Sequence, residues 1–471
     1  MTIMEPIELA FFGHPEGDPR ALLYFEWLQR RESGYAVDDF AEEVRDLTHT
    51  ALPDPASCWR LLDRIESAPS VPAWPYDEIG DGLAEGKGAA GNGTVAGDGE
   101  DVADTVAAHR VAGASQFGNR LYDRILGGWL GRCVGCTLGK PLENGFRWSP
   151  QVIRSYLERA DAYPLSDYVP VSNPMPDGYR LQRGWPESTR GRVDGCPRDD
   201  ALDYTVLGLH LLEQHGTGFT AGDVAAGWLE RLPFLQTYTA ERVAYRNLID
   251  GWTPPATARF RNPYREWTGG MSRADIYGYV CPDDPVRAAD LAARDAALSH
   301  TGNGVWAAMW AAALIAASFG AADPLSAITA AQQVIPENSR LARALAQVID
   351  DHRRGVGWEQ AIATVHTGHE HYNWMHAVGN SCLVAAGLLW GAGDFGRTIA
   401  LTVQGGWDTG CNGATAGSVS GILLGAGAIP RHWTGPLHDR LRSVVSGYDA
   451  VSISALARRT FDVASRHVVC G

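Results

Sequence analysis

Three acidic stations in this 471-residue chain carry the residue types that metal-assisted hydrolysis requires. The run GWDTGCNGATAG at 406–417 reads as a metal-binding loop with one carboxylate missing. Asp408 can ligate a divalent cation, Thr409 can add an oxygen, and Gly410 offers only its backbone. The second station, PRDDALDY at 197–204, places Asp199 and Asp200 side by side at the start of a helix. Capping and the helix dipole account for one of these acids, but two together repel unless a cation joins them. The third is Glu143, just past Lys140-Pro141, where proline stops a helix. A carboxylate on a loop held by a rigid helix can serve as a general base, although taken alone a solvated surface glutamate is the favoured reading.

The elements that must position these groups are helical. Glycines at 127, 131, 135 and 139 recur every four residues, which on a helix makes one smooth stripe for close packing. The stretch is no phosphate loop, because Lys140 is followed by Pro141 where a nucleotide site needs Ser or Thr. Helical spacing and Ala/Leu content predict helices at 200–213, 285–298, 304–319, 324–334, 339–350, 358–365, 380–391 and 395–403. Gly-rich joints are expected at 127–139 and 405–417, where backbones approach or turn tightly. Alternating strand runs are scarce, so the expectation is an all-α chain: a compact multi-helix domain at 119–471, a Gly-rich linker and lead-in at 77–118, and a small helical extension at 1–76.

Composition narrows the partners. A net charge of −15 argues against a nucleic-acid backbone as the main partner. The uncharged run 301–322 is Ala-rich rather than Leu-rich and starts with Gly-Asn-Gly, which fits a tightly packed buried helix and not a membrane span. Eight cysteines lie scattered in apolar surroundings, and no charged-then-apolar leader follows Met1, so reduced thiols in a cytoplasm are expected. Cys133 and Cys136 have zinc-like spacing, but no second pair completes it, and packing of small residues is the better account. The sequon at Asn92 carries no weight without a secretory signal.

Five blocks, GGWLGRCVGCTLGKPLE, RDDALDYTVLGLHLLE, NPYREWTGGMSRADIYGYVCPDDP, RDAALSHTGNGVWAAMWAAALIA and GGWDTGCNGATAGSVSGILLGA, resemble the ADP-ribosylglycohydrolase family in that family's order. They cover residues 119–440, and NPYREW and SHTGNG are most similar to a branch of largely uncharacterised bacterial members. The resemblance implies a helical domain with two magnesium ions in a central cleft, aligning a ribose while the bond at its anomeric carbon is cut. It makes Asp199, Asp200 and Asp408 metal-binding acids, with Thr409 beside them, and puts Glu143 on the glutamate that activates water or contacts the ribose. Arg198 stands where the pattern has Thr, Gly410 where it has the second Asp, Cys411 where it has the last Thr, and Cys136 where it has an Asp.

Loss of one acid weakens the site for an ion as exacting as magnesium, so one ion is the central expectation, with two or another divalent metal as alternatives. Arg198 could hold a phosphate or ribose oxygen in place of the absent ion, or simply pair with the neighbouring acids. His300, Asn303 and Asn380 fall at helix starts where polar groups cap or face a cleft. Trp267 or Tyr264 could stack on a base, Trp407 is a further substrate-binding candidate, and Asp203 or Asp275 could swing in to complete the metal site. The expected activity is hydrolysis of the N-glycosidic bond of a small nucleoside-, nucleotide- or NAD-like ribosyl compound, with Glu143 as general base. The alternatives are a metal-poor binder of ADP-ribose or a dinucleotide, and a hydrolase of ADP-ribosylated proteins.

Overall fold

The structure, a computed structural model, describes residues 16–50, 53–78, 103–145, 147–182 and 185–468, without the side chains of 103–117 and 467–468. The expected linker at 80–99, its sequon at Asn92 and the last cysteine, Cys470, lie outside the described residues. The fold is all-α, with a single two-stranded antiparallel pair, Arg440–Arg442 with Ala450–Ser452, among those residues.

Each helix predicted from spacing is present, at Asp200–His215, Pro285–Ala296, Gly302–Ala317, Pro324–Ala331, Arg340–Arg353, Trp358–His369, Ala377–Gly391 and Phe395–Gln404. Short polar side chains start many of them. Asp199, Asp284, Asp323, Ser339 and Asp394 each accept a backbone N–H of the first turn, and Pro285 and Pro324 occupy first-turn positions that need no donor. Gly302–Ala317 is buried on nearly every side, which accounts for its lack of charge. No helix among the described residues is long and apolar enough to cross a membrane.

The two Gly-rich joints are themselves helices. The first ends a 37-residue helix, Ala103–Gly139, and the second is Thr409–Leu424. They pack backbone against backbone over four turns. A Cβ added at Gly127, Gly131, Gly135 or Gly139 would lie 2.2, 2.0, 1.9 or 2.0 Å from the carbonyl oxygen of Gly421, Gly417, Gly413 or Thr409. The relation is reciprocal, since a Cβ at Gly417 or Gly421 would lie 2.1 or 2.0 Å from the oxygen of Gly131 or Gly127. Only glycine on both helices permits this approach. Its consequence is positional: the turn at 140–143 is delivered against the start of the helix at Asp408.

The N-terminal segment builds a second core. Helices Pro19–Glu32, Ala41–His49 and Pro55–Glu66 enclose Leu22, Phe25, Trp27, Leu61 and Leu62 and share this core with Tyr264 and Trp267. Ion pairs fasten it: Arg265 grips Glu26 at 2.7 and 3.0 Å, and Glu266 accepts from Gln29 at 3.0 Å and Arg340 at 2.6 Å. Between this extension and helix Arg340–Arg353 lies a cavity of about 570 Å³ lined by Arg31, Glu32, Trp74, Arg340 and Tyr372.

Burial, reinforced by Glu266 and opposed by Arg340, pushes the Glu32 carboxyl from 4.5 up to about 8. Between those values the folded chain keeps a proton that the unfolded chain has released, so stability falls as pH rises through this window. Thermal melts of the wild type and Glu32→Gln from pH 5 to 9 should show the variant losing that part of the decline. Parallel profiles would remove Glu32 from this role.

Candidate active site

The three acidic stations converge because the glycine-packed helices bring two of them together and helix Asp200–His215 supplies the third. Asp199 caps that helix, its Oδ1 accepting the Ala201 N–H at 3.1 Å. Its Oδ2 accepts from Lys140 Nζ at 2.5 Å, and the same ammonium donates to the Arg198 carbonyl at 2.7 Å. Burial opposes ionisation of Asp199, but Lys140 outweighs it and holds the carboxyl below its ordinary range. The Lys140 ammonium is raised in turn, burial being overcome chiefly by Asp199.

Asp408 caps helix Thr409–Leu424, with Oδ1 accepting from the Cys411 N–H at 3.3 Å. Its own N–H donates to Asn380 Oδ1 at 3.2 Å, and Asn380 is fixed by Asn412 Nδ2 at 2.7 Å and by donating to the carbonyls of Trp374 and His376. Burial, against the Cys411 hydrogen bonds and with Asp199 adding repulsion, pushes Asp408 up to about 6. Asp200 is pushed up to about 8 by burial and then by Asp199 and Asp408, with Arg198 and Lys140 opposing.

Glu143 occupies the space a side chain at position 410 would need. A Cβ on Gly410 would lie 2.0 Å from Glu143 Oε2. That oxygen is buried and has no hydrogen-bond partner among the described residues. Burial, then the charges of Asp408 and Asp199, push the carboxyl well above its ordinary value, against Lys140. The space beside position 410 is therefore filled by a carboxylate that arrives from the turn after the glycine helix. Sequence reading could not see this, because it depends on the approach of two helices 270 residues apart.

Several of the expected donors are already committed to other groups. Asp199 is held by Lys140, the Thr409 hydroxyl donates to the Gly139 carbonyl at 2.8 Å, and position 410 has no donor to give. Among the described residues no three His, Cys, Asp or Glu side chains stand at metal-enclosing spacing. Asp200 and Asp408 remain, a donor set that suits a hard ion completing its shell with water and substrate oxygens.

The other residues singled out from sequence divide sharply. Arg198 pairs with Asp203 at 2.7 Å and donates to the Gln236 carbonyl at 2.8 Å, while its charge still reaches Asp199 and Asp200. Asp203 is also held by Ser443 at 2.7 Å, and Asp275 by Arg132 and Ser418, so neither is free to swing in. His300 is buried, with one ring nitrogen accepting the Gly270 N–H at 3.1 Å and the other beside Ser299 Oγ at 2.8 Å. Asn303 spends its amide on Glu266 Oε1 and the Leu341 N–H. Trp267 packs edge-on against Phe25 and Tyr264 in the second core. Thus His300, Asn303 and Trp267 are engaged around Glu266, Gly270 and the second core, and Arg198 borders the acidic cleft with its guanidinium committed to Asp203. Buried polar groups must be satisfied, and here the N-terminal extension and the protein's own backbone satisfy them.

Asn380 is the exception, since it positions Asp408. Trp407, half-buried with φ +58°, lies next to Asp408 against Gly379 and His366. Lys140 is the residue that sequence reading passed over. Its signal was available in its place on the same turn as Glu143. Cys133, Cys136, Cys196 and Cys411 are buried free thiols, and Cys133 and Cys136 form no metal group.

Residues 118–467 match the family model described as ADP-ribosylglycohydrolase. A solved structure described as an ADP-ribosylglycohydrolase-related protein complex is similar at 20% identity and a TM-score of 0.46, over 74% of this chain and 99% of that one. No curated protein matches the sequence.

Proposed function

The chain belongs to the ADP-ribosylglycohydrolase family, and on that premise we propose that its acidic cleft hydrolyses the N-glycosidic bond of a small ribosyl compound with Glu143 as general base. The observation that carries this reading is the Glu143 carboxylate, buried, with one oxygen unpartnered and its proton affinity raised. A raised proton affinity strengthens a carboxylate as a base, since an unperturbed glutamate is too weak to take a proton from water.

One divalent cation, magnesium by the hardness of its donors, would be held by Asp200 and Asp408, and when bound it supplies positive charge to orient the vicinal hydroxyls of the ribose. The protein's own groups do the rest. Glu143 accepts a proton as water attacks the anomeric carbon, the carbon–nitrogen bond breaks, and the bonding pair leaves with the base. The sugar passes through an oxocarbenium-like state, whose positive charge the surrounding carboxylates stabilise. Asn380 keeps Asp408 in place, and Lys140 keeps Asp199 ionised.

The test is release of base, followed by chromatography, from NAD, ADP-ribosyl conjugates of proteins and simple nucleosides, with and without magnesium. Magnesium-dependent release from a small ribosyl compound is expected. Release from protein conjugates alone would move the substrate to modified proteins. Binding of ADP-ribose with no release from any compound would replace the hydrolase by a binding protein.

A further inference from the structure

We infer that the Lys140 ammonium is a resident cation that takes the place of one metal ion, so that the site is built for one lysine and one divalent ion. The inference rests on the proposed reading of the carboxylate cluster as the active site. Its first support is geometric. Nζ lies 2.5 Å from Asp199 Oδ2 and 2.7 Å from the Arg198 carbonyl, the two oxygens at the start of helix Asp200–His215 that face the turn at 140–143. The Lys140 side chain is 16% exposed, and two of its three N–H groups are used, which leaves one for a substrate oxygen.

The second support is the chain's choice of residue. Of its 40 basic residues only Lys87 and Lys140 are lysines, and every other is arginine. Buried ion pairs elsewhere use Arg132, Arg265, Arg273 and Arg340. Guanidinium is a wide planar fork, whereas ammonium is a compact point charge with donors pointing in several directions, the closest match to an ion that a side chain offers. A lysine here, in a chain that otherwise avoids them, fits a position requiring that shape.

The third support is charge. With all four carboxyls ionised, the state that a bound cation favours, Asp199, Asp200, Asp408 and Glu143 carry four negative charges. One lysine and one divalent ion leave a single net negative charge, which complements an oxocarbenium-like sugar, whereas two ions plus the lysine would leave a net positive charge that opposes it. Gly410 then has a reason: a second ion, and the acid that would bind it, are not needed.

Calorimetric titration with magnesium or manganese alone should give about one ion per wild-type chain, and Lys140→Met, which frees Asp199, should add a second binding event. Lys140→Arg keeps the charge and should still take one. Two ions in the wild type, or Lys140→Met titrating like the wild type, would overturn the inference. Should Lys140→Met not fold, the wild type supplies an independent measurement. Lysine-selective ¹⁵N labelling gives two side-chain signals, and that of Lys140, assigned with Lys140→Arg, should stay slow to exchange at saturating magnesium. Its release on adding magnesium would show that the ion displaces the lysine. Neither readout depends on turnover, so an inactive protein would refute the proposed hydrolysis while leaving this inference to be decided by binding.

Discussion

Glu143→Gln should lower turnover of a ribosyl substrate by about 10²–10⁴-fold, the usual contribution of a positioned general base. Substrate affinity should hardly change, since the amide keeps the size of the carboxyl and loses only its ability to take a proton. The fold should tolerate the change well. Glu143 Oε2 is buried without a donor, so no hydrogen bond is broken, and one of several mutually repelling negative charges is removed. A melting temperature at or above that of the wild type, with turnover nearly lost, is the expected pair of results. Turnover within about threefold of wild type would remove Glu143 from the role of base, given the range such a base contributes.

The same contact predicts that Gly410→Ala resembles Glu143→Gln in turnover, because its Cβ would displace the Oε2 atom now 2.0 Å from that point. It also settles how an acid at 410 would behave. On the sequence alone, Gly410→Asp promises to rebuild a metal ligand. In the folded chain it introduces a second carboxylate where Glu143 already sits, and it must push the base aside to bind anything. Gly410 is the residue that makes room for Glu143.

What could be read in advance follows from how far each signal reaches along the chain. Helices such as Asp200–His215 and Arg340–Arg353 announce themselves through periodicity over a dozen residues and through caps, and these were legible. The acids Asp199, Asp200, Asp408 and Glu143 were legible as types, and they do converge. Their assignments to partners were not. Arg198 looks equally able to face a phosphate or its neighbours, and Asp203, five residues on, decides the matter by sitting 2.7 Å away. The segment 262–275 holds Trp267, a candidate to contact a base. It proves to be the seat of the N-terminal extension and part of the buried ion-pair network, with Tyr264 and Trp267 against Phe25, and Arg273 between Glu241 and Asp295. Composition cannot separate a ligand's polar partners from a distant segment's, because both demand the same donors.

Gly135→Ala should destabilise the chain even though alanine is the better helix former. In an isolated helix the change would stabilise by about 1 kcal/mol. Here the new Cβ would lie 1.9 Å from the Gly413 carbonyl oxygen and 2.4 Å from its carbon, and both belong to backbone that cannot rotate away. Overpacking a core with one methyl typically costs about 1–3 kcal/mol, and a clash between two helix backbones lies at the upper end. A net loss of about 2 kcal/mol is therefore expected, read as a lower midpoint in chemical denaturation. Gly118→Ala is the control on the same helix, since its Cβ would meet only the tip of the Phe461 ring at 3.7 Å, and it should be neutral or stabilising. Turnover supplies a second readout. Helices Ala103–Gly139 and Thr409–Leu424 carry Glu143 and Asp408 at adjacent ends, so forcing them apart at Gly135 should also separate base from acid. Gly135→Ala melting at or above the wild type would refute the packing. The same variant destabilised but fully active would show that the glycine stripe holds the fold without setting the distance between Glu143 and Asp408.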